Sequence, residues 1–297
     1  MIINFGSMNV DHVYEVDHVT RAKETQKTRT YSIGAGGKGL NQSIALAHAG
    51  AHVAHAACVS AEDTLLPETL RSAGVDVGLL KTVALSPGHA VIQVDTEGQN
   101  AIFIHGGAND AMDRAYVEEV LEKTDASAVL LQNETTATRD VIELAHEKGL
   151  KIFMNAAPAD ERLDDLPIAY VDLLIVNEIE GAYLASAPVD EPATILTGLR
   201  ERFPETDVLL TLGADGAMYD DGKTRTLRHA YTVDAVDTTG AGDTFVGYVI
   251  AGLLEGMEIV EAMDLATAAS ALAVMKKGAA ASIPTRDEVE RWRKDKA

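Results

Sequence analysis

The segment Asp237-Thr-Thr-Gly-Ala-Gly-Asp243 combines a turn of small residues with two carboxylates, and the helical run Thr244–Leu254 follows it directly. Small residues let successive backbone N–H groups point inward, and at the positive end of a helix such groups form an anion hole. Asp243 falls in the predicted first turn, where a carboxylate is either a helix cap or a base facing the same anion. A base beside an anion hole is what phosphoryl transfer to a hydroxyl requires.

A second glycine-rich segment, Gly34-Ala-Gly-Gly-Lys-Gly39, fits the dinucleotide-binding fingerprint, and Glu62 or Asp63 lies where the ribose-binding acid is expected. The fingerprint belongs in the first strand-to-helix turn of its fold, whereas here a strand and a lid-like segment come first. The segment is not a Walker A loop, because Gly39 follows Lys38 where that motif has Ser or Thr. A tight turn with glycine at positive φ is the alternative.

The elements around these loops alternate between short apolar strands and longer helices. The predicted strands are Ile2–Phe5, His52–Ala57, Ala128–Leu131, Ile152–Met154, Leu173–Val176 and Val208–Leu212. The predicted helices are Asn41–Ala49, Arg139–Lys148 and Ala193–Arg202, besides the one after Asp243. Strands that alternate with helices indicate a mostly parallel sheet covered on both faces. We expect one α/β domain over residues 1–297.

Residues 12–33 and 88–105 break this rhythm, because they read as strands without helices between them. Val91–Val94 and Ala101–Ile104 flank a turn at Glu97-Gly98, which predicts a β-hairpin. The two stretches therefore predict a small β-sheet lid that closes over a site in the main sheet. Since the lid strands leave open edges, we expect them to pair across a homodimer.

The charge balance excludes several kinds of partner. With 25 basic against 46 acidic residues, the net charge is −21, and the basic residues are too few and too scattered for nucleic-acid binding. Apolar runs such as Phe245–Leu254 are about half of the ~20 residues that span a bilayer. The single cysteine, Cys58, lies in an apolar run, and residues 1–16 lack the basic start of a signal peptide. We expect a cytoplasmic protein with no membrane partner.

Together, the two loops resemble the signatures of the ribokinase family of sugar kinases, the phosphofructokinase-B-type superfamily. Gly36–Asn41 is similar to the N-terminal signature and Asp237–Asp243 to the C-terminal one. Further matches follow in the same order over the whole chain: Asn9 and Asp11, Glu97–Asn100, Gly107–Asn109, Glu134, Asn155–Pro158, Asn177–Glu180 and Thr211–Gly216. The resemblance implies a three-layer α/β/α fold with a small β-sheet lid. It also implies transfer of the ATP γ-phosphoryl group to a primary sugar hydroxyl.

The resemblance further implies a role for each matching residue. Asp243 is the expected base, and the amides of Gly240, Ala241 and Gly242 are the expected anion hole. The residues expected to hold the sugar are Asn9, Asp11, Gly37, Lys38, Asn41, Glu134 and Asp243. This polar set fits a polyol, because each buried hydroxyl needs a partner. The resemblance also implies that Lys38 reaches a phosphate.

The nucleotide and two cations complete the implied site. The residues expected at the nucleotide are Asn177, Thr211, Gly213, Gly216, Gly242 and Thr267. Asn177 and Glu180 are expected to orient Mg²⁺ and water near the phosphates. The residues expected around K⁺, which would act by stiffening the anion-hole loop, are Asp237, Thr239, Ala273, Lys276, Gly278 and Ser282. The alternative for Lys276–Gly278 is a basic helix end followed by a glycine cap.

Substrate identity stays open at this stage. D-ribose, giving ribose 5-phosphate, is the best single candidate, because the chain shows no basic cluster for a substrate phosphate. Fructose, another pentose or a nucleoside remain, although a nucleoside needs an aromatic platform and the lid offers only Tyr14, Tyr31 and Phe103. Leu40 and the segment Arg21–Thr25 depart from the family pattern. A nicotinamide-dependent oxidoreductase and a non-catalytic sugar or nucleotide sensor are the alternatives from other classes.

Overall fold

The computed structural model describes residues 1–296, so Ala297, the last residue of the predicted domain, lies outside the described residues. The strands are β1 (Ile2–Phe5), β2 (Asn9–Glu15), β3 (Thr30–Gly36), β4 (Val53–Ala56), β5 (Cys58–Ser60), β6 (Lys81–Val83), β7 (His89–Val94), β8 (Asn100–His105), β9 (Ala128–Gln132), β10 (Lys151–Asn155), β11 (Leu173–Asn177), β12 (Asp207–Thr211), β13 (Ala217–Asp220) and β14 (Arg225–Arg228). The helices are α1 (Lys38–His48), α2 (Leu65–Ser72), α3 (Arg114–Lys123), α4 (Thr138–Glu147), α5 (Glu178–Ala185), α6 (Pro192–Arg202), α7 (Ala241–Leu254), α8 (Ile259–Val274) and α9 (Arg286–Lys296).

An eight-stranded sheet forms the centre, with the order β14-β13-β12-β11-β10-β9-β1-β4. Its pairings from β4 to β12 are parallel, and only β13 and β14 are antiparallel. Residues that alternate along β1 belong to different apolar clusters, because Ile2 packs with α1, α7 and α8 whereas Ile3 packs with α3, α4 and α6. The three-layer α/β/α prediction is confirmed, and burial on both faces explains why its strands are continuous apolar runs.

The predicted elements are present, with shifted boundaries. The predicted strand His52–Ala57 ends at Ala56, after which β5 pairs with β6 in a separate two-stranded sheet. The helices predicted from Asn41 and Thr244 begin three residues earlier, at Lys38 and Ala241. Their first turns carry the glycines and polar residues of the two signature segments, so apolar periodicity cannot detect them. No helix among residues 1–296 is long and apolar enough to cross a membrane.

The small sheet predicted as a lid is confirmed. Its order is β3-β2-β7-β8, with β2 and β7 parallel and the other pairs antiparallel. Strands occupy only the two ends of the predicted stretch 12–33, and residues 16–29 form a loop between them. Strand β2 follows β1 after three residues and β3 leads directly into α1, so this hairpin is joined to the large sheet through β1 and to the helix that packs on it.

A close crossing of α1 and α7 sets the distance between the two signature segments. A Cβ placed on Gly247 would lie 2.3 Å from the Cβ of Ala45, so only glycine allows this approach. Asn41 and Asp243 lie one helical turn before these two residues, and their side chains are hydrogen-bonded. The crossing therefore brings together residues 202 positions apart in the chain.

We predict that Gly247→Ala destabilises the protein by about 1–3 kcal/mol, the usual cost of overpacking, although alanine favours helix. Urea denaturation followed by circular dichroism measures the change. Thr197→Ala on the exposed face of α6 is the control, and we expect it to be neutral or slightly stabilising. Equal or greater stability of Gly247→Ala would show that the crossing is loose.

Candidate active site

The start of α1 is fitted tightly against the end of β1. A Cβ on Gly39 would lie 2.5 Å from the backbone of Gly6, so glycine is required for this contact. The Leu40 N–H donates to the Ser7 carbonyl at 3.0 Å, which fixes the first turn of α1 on the sheet. Lys38 and Asn41 consequently project from the carboxyl edge of the parallel sheet, the edge at which ligands bind in open α/β sheets.

Asp243, in the first turn of α7, points toward α1. Its Oδ2 accepts a hydrogen bond from Asn41 Nδ2 and its Oδ1 accepts one from Gln42 Nε2, both at 2.9 Å. Burial raises the pKa of this carboxyl, while Lys38 and the two amides oppose the rise. Gly240 occupies the N-cap of α7 and supplies no side-chain cap. The carboxylate is thus held by the neighbouring helix and does not cap its own.

Lys38 lies among three carboxylates. Burial tends to lower its pKa, but the charges of Asp243, Glu134 and Glu180 outweigh burial and raise it, so the ammonium stays charged. Glu134 Oε2 accepts hydrogen bonds from the Ser7 hydroxyl and, at 3.2 Å, from the Lys38 N–H. The pKa of Glu134 is raised by burial against the opposing effect of Lys38. The cluster offers one positive and three negative charges to a ligand.

The residues predicted to hold a sugar are divided between the lid and the large sheet. Asn9 and Asp11 lie on β2, Gly37 caps α1, and Glu134 follows β9. Burial, together with repulsion by Glu134, raises the pKa of Asp11 to about 6. Asn9 Oδ1 accepts a hydrogen bond from Asn109 at 2.9 Å, so its own amide remains for a ligand. The structure places Asp11 within the electrostatic reach of Glu134, and Glu134 within that of Asp243.

The predicted anion hole is a left-handed turn at the start of α7. Gly240 has φ +76°, and the hydroxyl of Ser270 on α8 donates to the Ala241 carbonyl at 3.0 Å. The Ala241 N–H donates to the Thr238 carbonyl at 3.2 Å and is engaged in the turn. Gly242 and Asp243, next in the first helical turn, carry N–H groups of the kind that have no partner within a helix.

Asp237 ties this turn to the loop after α8. Its Oδ1 accepts from the N–H and the hydroxyl of Thr239 at 3.0 and 2.7 Å, and its Oδ2 accepts from the Gly278 N–H at 2.9 Å. These bonds outweigh burial and lower the pKa of Asp237. Of the other residues predicted around K⁺, Ala273 accepts from the Lys276 N–H, and Ser282 donates to Ala279. The structure thus places the two halves of the predicted cation site side by side.

The predicted nucleotide residues lie at the ends of β11 and β12 and on α8. The strand register pairs Asn177 with Thr211, which are the last residues of their strands. Asn177 and Glu180 form a capping box in which Asn177 Oδ1 accepts from the Glu180 N–H and Glu180 Oε2 accepts from the Asn177 N–H, both at 2.9 Å. Burial raises the pKa of Glu180, although the hydrogen bonds from Asn177 and the charge of Lys38 act to lower it.

The remaining nucleotide residues belong to a turn and a helix. Gly213 and Gly216 both have positive φ in the turn between β12 and β13, and Thr267 is buried on α8. Across residues 1–296, no group of three or more His, Cys, Asp or Glu side chains could hold a metal ion by itself. Mg²⁺ commonly binds through one or two carboxylates together with substrate phosphates and water, and Asn177 and Glu180 offer oxygen donors of that kind.

Sequence reasoning missed several residues that hold the site. The buried amides of Gln42, Gln132 and Asn155 lie behind Asp243. Asn109 holds the connection between β1 and β2 through both backbone groups of Met8. Gln42 lies one residue beyond the N-terminal signature. Asn109 and Asn155 belong to the family-like motifs Gly107–Asn109 and Asn155–Pro158, but the sequence predicts no role for them. Gln132 carries no motif signal. Gly34 and Gly36 lie within β3, a strand of the small lid sheet, and the strand-to-helix turn that follows is not the first one of the large sheet, which does not support dinucleotide binding.

Comparison with known proteins agrees with this geometry. Residues 1–286 match the family described as pfkB family carbohydrate kinase. A ribokinase from Haemophilus influenzae is 35% identical over 95% of this chain and 95% of its own length. A ribokinase from Cryptococcus neoformans solved with ADP has a TM-score of 0.85 at 31% identity, covering 98% of this chain and 99% of that one. An Arabidopsis thaliana ribokinase solved with ribose and ATP has a TM-score of 0.87 at 28% identity, covering 98% and 97%.

The match extends over the lid, both glycine-rich segments and the large sheet, and the relatives are covered almost completely. The chain therefore belongs to the pfkB family of carbohydrate kinases, enzymes that transfer a phosphoryl group to an alcohol of a sugar.

Proposed function

We propose that this protein transfers the γ-phosphoryl group of ATP to the primary hydroxyl of D-ribose and releases ADP and ribose 5-phosphate. One observation carries the proposal. The Asp243 carboxylate, at the start of α7, is fixed by two amide donors from α1 and lies within the electrostatic reach of Lys38. The relatives named ribokinase, one of them solved with ribose and ATP, support the two substrates. Because ATP is an intracellular metabolite, the proposal agrees with a cytoplasmic location.

In this reaction Asp243 accepts the hydroxyl proton as the sugar oxygen bonds to the γ-phosphorus. The bond from that phosphorus to the β–γ bridging oxygen breaks, and the electron pair leaves with ADP. The N–H groups of Gly240 and Gly242 and the charge of Lys38 stabilise the negative charge that develops on the transferred group, whereas the Ala241 N–H is engaged with the Thr238 carbonyl. Asn177 and Glu180 would hold Mg²⁺, which neutralises phosphate charge when bound.

The geometry of the lid favours ribose over a nucleoside. Side chains alternate between the two faces of a strand, so Asp11 on β2 faces opposite to Tyr14. The strand register puts Tyr31 and Phe103 on the same face as Tyr14. The aromatic residues of the lid therefore lie on the face turned away from Asp11 and offer no platform for a base bound above the sugar.

We also propose K⁺ as an activator and a homodimer formed through the lid. Asp237 binds both loops of the predicted cation site, so a cation there would stiffen the anion-hole turn. The lid exposes apolar side chains, among them Phe103 at 62% and Ile33 at 55%, and its outer strands β3 and β8 have free edges. Exposed apolar residues on open strand edges are typical of an interface between subunits.

The proposed reaction is tested by ADP release from ATP over a panel of sugars and nucleosides, together with Asp243→Asn. We expect ribose to be the best acceptor, and we expect Asp243→Asn to lower kcat by roughly 10²–10⁴ while ADP binding, measured by calorimetry, persists. An unchanged kcat would exclude Asp243 as the base. If kcat/KM is higher for a nucleoside or fructose than for ribose, that compound is the substrate instead, and the kinase assignment stands.

For the cation, we expect a higher rate in K⁺ than in tetramethylammonium at equal ionic strength, because an ordered anion hole needs no reorganisation during the reaction. Asp237→Asn should lose most of this dependence. Asp221→Asn is the matched control, since Asp221 also accepts backbone N–H groups in a tight turn but lies between β13 and β14, outside the predicted cation site. Equal rates in both salts would contradict the proposed cation site.

For the dimer, we expect light scattering at micromolar concentration to give twice the mass of one chain, and Phe103→Asp to give a monomer. A carboxylate in an apolar interface is costly to bury, whereas Phe103 faces away from Asp11 and does not contact the sugar site. Val260→Asp, at an exposed apolar residue on α8, should leave the mass unchanged. A monomeric wild-type protein would contradict the proposal.

A further inference from the structure

A chain of buried amide side chains lies behind Asp243. Asn4, Gln42 and Gln132 are almost completely buried, and Asn155 is 9% exposed. Gln42 Nε2 donates to Asp243 Oδ1 and to Asn155 Oδ1, both at 2.9 Å. Gln132 Nε2 donates to Gln42 Oε1 at 2.8 Å and to Asn4 Oδ1 at 3.0 Å. The chain joins β1, β9, β10 and α1 to the proposed base.

Two main-chain carbonyls determine which way these amides point. Asn4 Nδ2 donates to the Gly39 carbonyl at 2.8 Å, so the Asn4 oxygen must face Gln132. Asn155 Nδ2 donates to the Ile175 carbonyl at 3.1 Å, so its oxygen must face Gln42. A carbonyl oxygen only accepts, and therefore neither amide can be turned over without losing a bond. Both ends of the chain require Gln42 to present its NH₂ group to Asp243.

We propose that Gln42 is a positioning residue for the base: the amide chain holds its NH₂ against Asp243 Oδ1, which orients the carboxylate and keeps it ionised in its buried setting. Asn41 occupies the other oxygen, so each carboxylate oxygen receives one N–H donor. Donors to the charged form of a carboxyl favour that form, and the base must be ionised to accept a proton. The inference rests on the proposed role of Asp243.

The charged groups around Asp243 act in opposite directions. Lys38 from α1 favours the ionised form, but Glu134 after β9 and Glu180 on α5 repel it and also share the charge of Lys38. A phosphate bound beside Lys38 would engage that charge further. The donor from Gln42 is neutral and anchored to the sheet, so its effect on Asp243 does not depend on what the site binds.

The test compares Gln42→Glu with Gln42→Met, since both replacements are close in size to glutamine. Methionine removes the donor, and glutamate replaces it with a second carboxylate. We expect the acid limb of the kcat/KM profile to move to higher pH by about one unit in Gln42→Met, because losing a donor raises the pKa of Asp243. Gln42→Glu should move it further, with kcat falling more than the KM for ribose rises.

A purely structural role predicts a different order. Glutamate would then be the milder replacement at a site that needs only volume and polarity, and the pH profile of Gln42→Met would not move. Gln132→Met, which removes one of the two anchors of the Gln42 amide and leaves Asn155, should shift the acid limb in the same direction by less. Tyr248→Phe on α7 is the control, because it removes the buried hydrogen bond to the Pro284 carbonyl without touching the amide chain. Its profile should match that of the wild type.

A second measurement does not depend on activity. Titration of the side-chain carboxyl carbons by ¹³C NMR, with Asp243→Asn used for the assignment, gives the pKa of Asp243 directly in folded wild-type and variant proteins. A higher pKa in Gln42→Met or Gln132→Met supports the proposal, and the same pKa in all variants overturns it. If Asp243→Asn keeps full activity while the pKa still moves, the base assignment fails but the positioning by Gln42 stands.

Discussion

The structure depends on holding an ionised carboxylate where water has been largely removed. Burial raises the pKa of Asp243, Glu134 and Glu180 alike, and Lys38 is the positive side chain that acts on all three. Neutral hydrogen-bond donors also stabilise the ionised carboxylates: Ser7 donates to Glu134, Asn177 to Glu180, and Asn41 and Gln42 to Asp243. A charged group in such a setting persists only where its oxygens are hydrogen-bonded, so the positions of these donors define the site.

The scaffold is built to keep those donors in place. Contacts at Gly39 and Gly247 are closer than any side chain would permit, and they fix α1 against β1 and α7. A shift of either contact by about 1 Å would break hydrogen bonds of ordinary length between Asp243 and α1. This explains how two glycine-rich segments far apart in the chain form one site: Gly39 of the first segment and Gly247, one turn after the second, act through packing, whereas Gly240 acts through its positive φ.

The sequence was informative where chemistry requires a local pattern. The loop Asp237–Asp243, the segment Gly36–Asn41 and the apolar strands could all be recognised, and the α/β fold followed from their alternation. The partners of Asp243 on the sheet could not be recognised, because Gln132 and Asn4 lie in strands with no local feature that marks a polar residue as buried. The fold alone brings them together, as the 128 positions between them show. Helix starts were missed for the related reason that signature segments replace apolar periodicity there.

The lid contributes a further, partly buried carboxylate, Asp11, and substrate binding would reduce its repulsion by Glu134. Asp11 reaches the site from β2, and its pKa of about 6 reflects burial and the repulsion of Glu134. Near neutral pH it is mostly ionised at a cost to the folded state, since burial opposes its charge. Sugar hydroxyls that donate to Asp11 and Glu134 would satisfy both carboxylates at once. On the proposed function, a polyol would offer such donors to both groups, and because Asp11 lies on the lid sheet while Glu134 follows β9, the same bonds would link the lid to the large sheet. Substrate binding and the position of the lid would then be coupled through one pair of mutually repelling carboxylates.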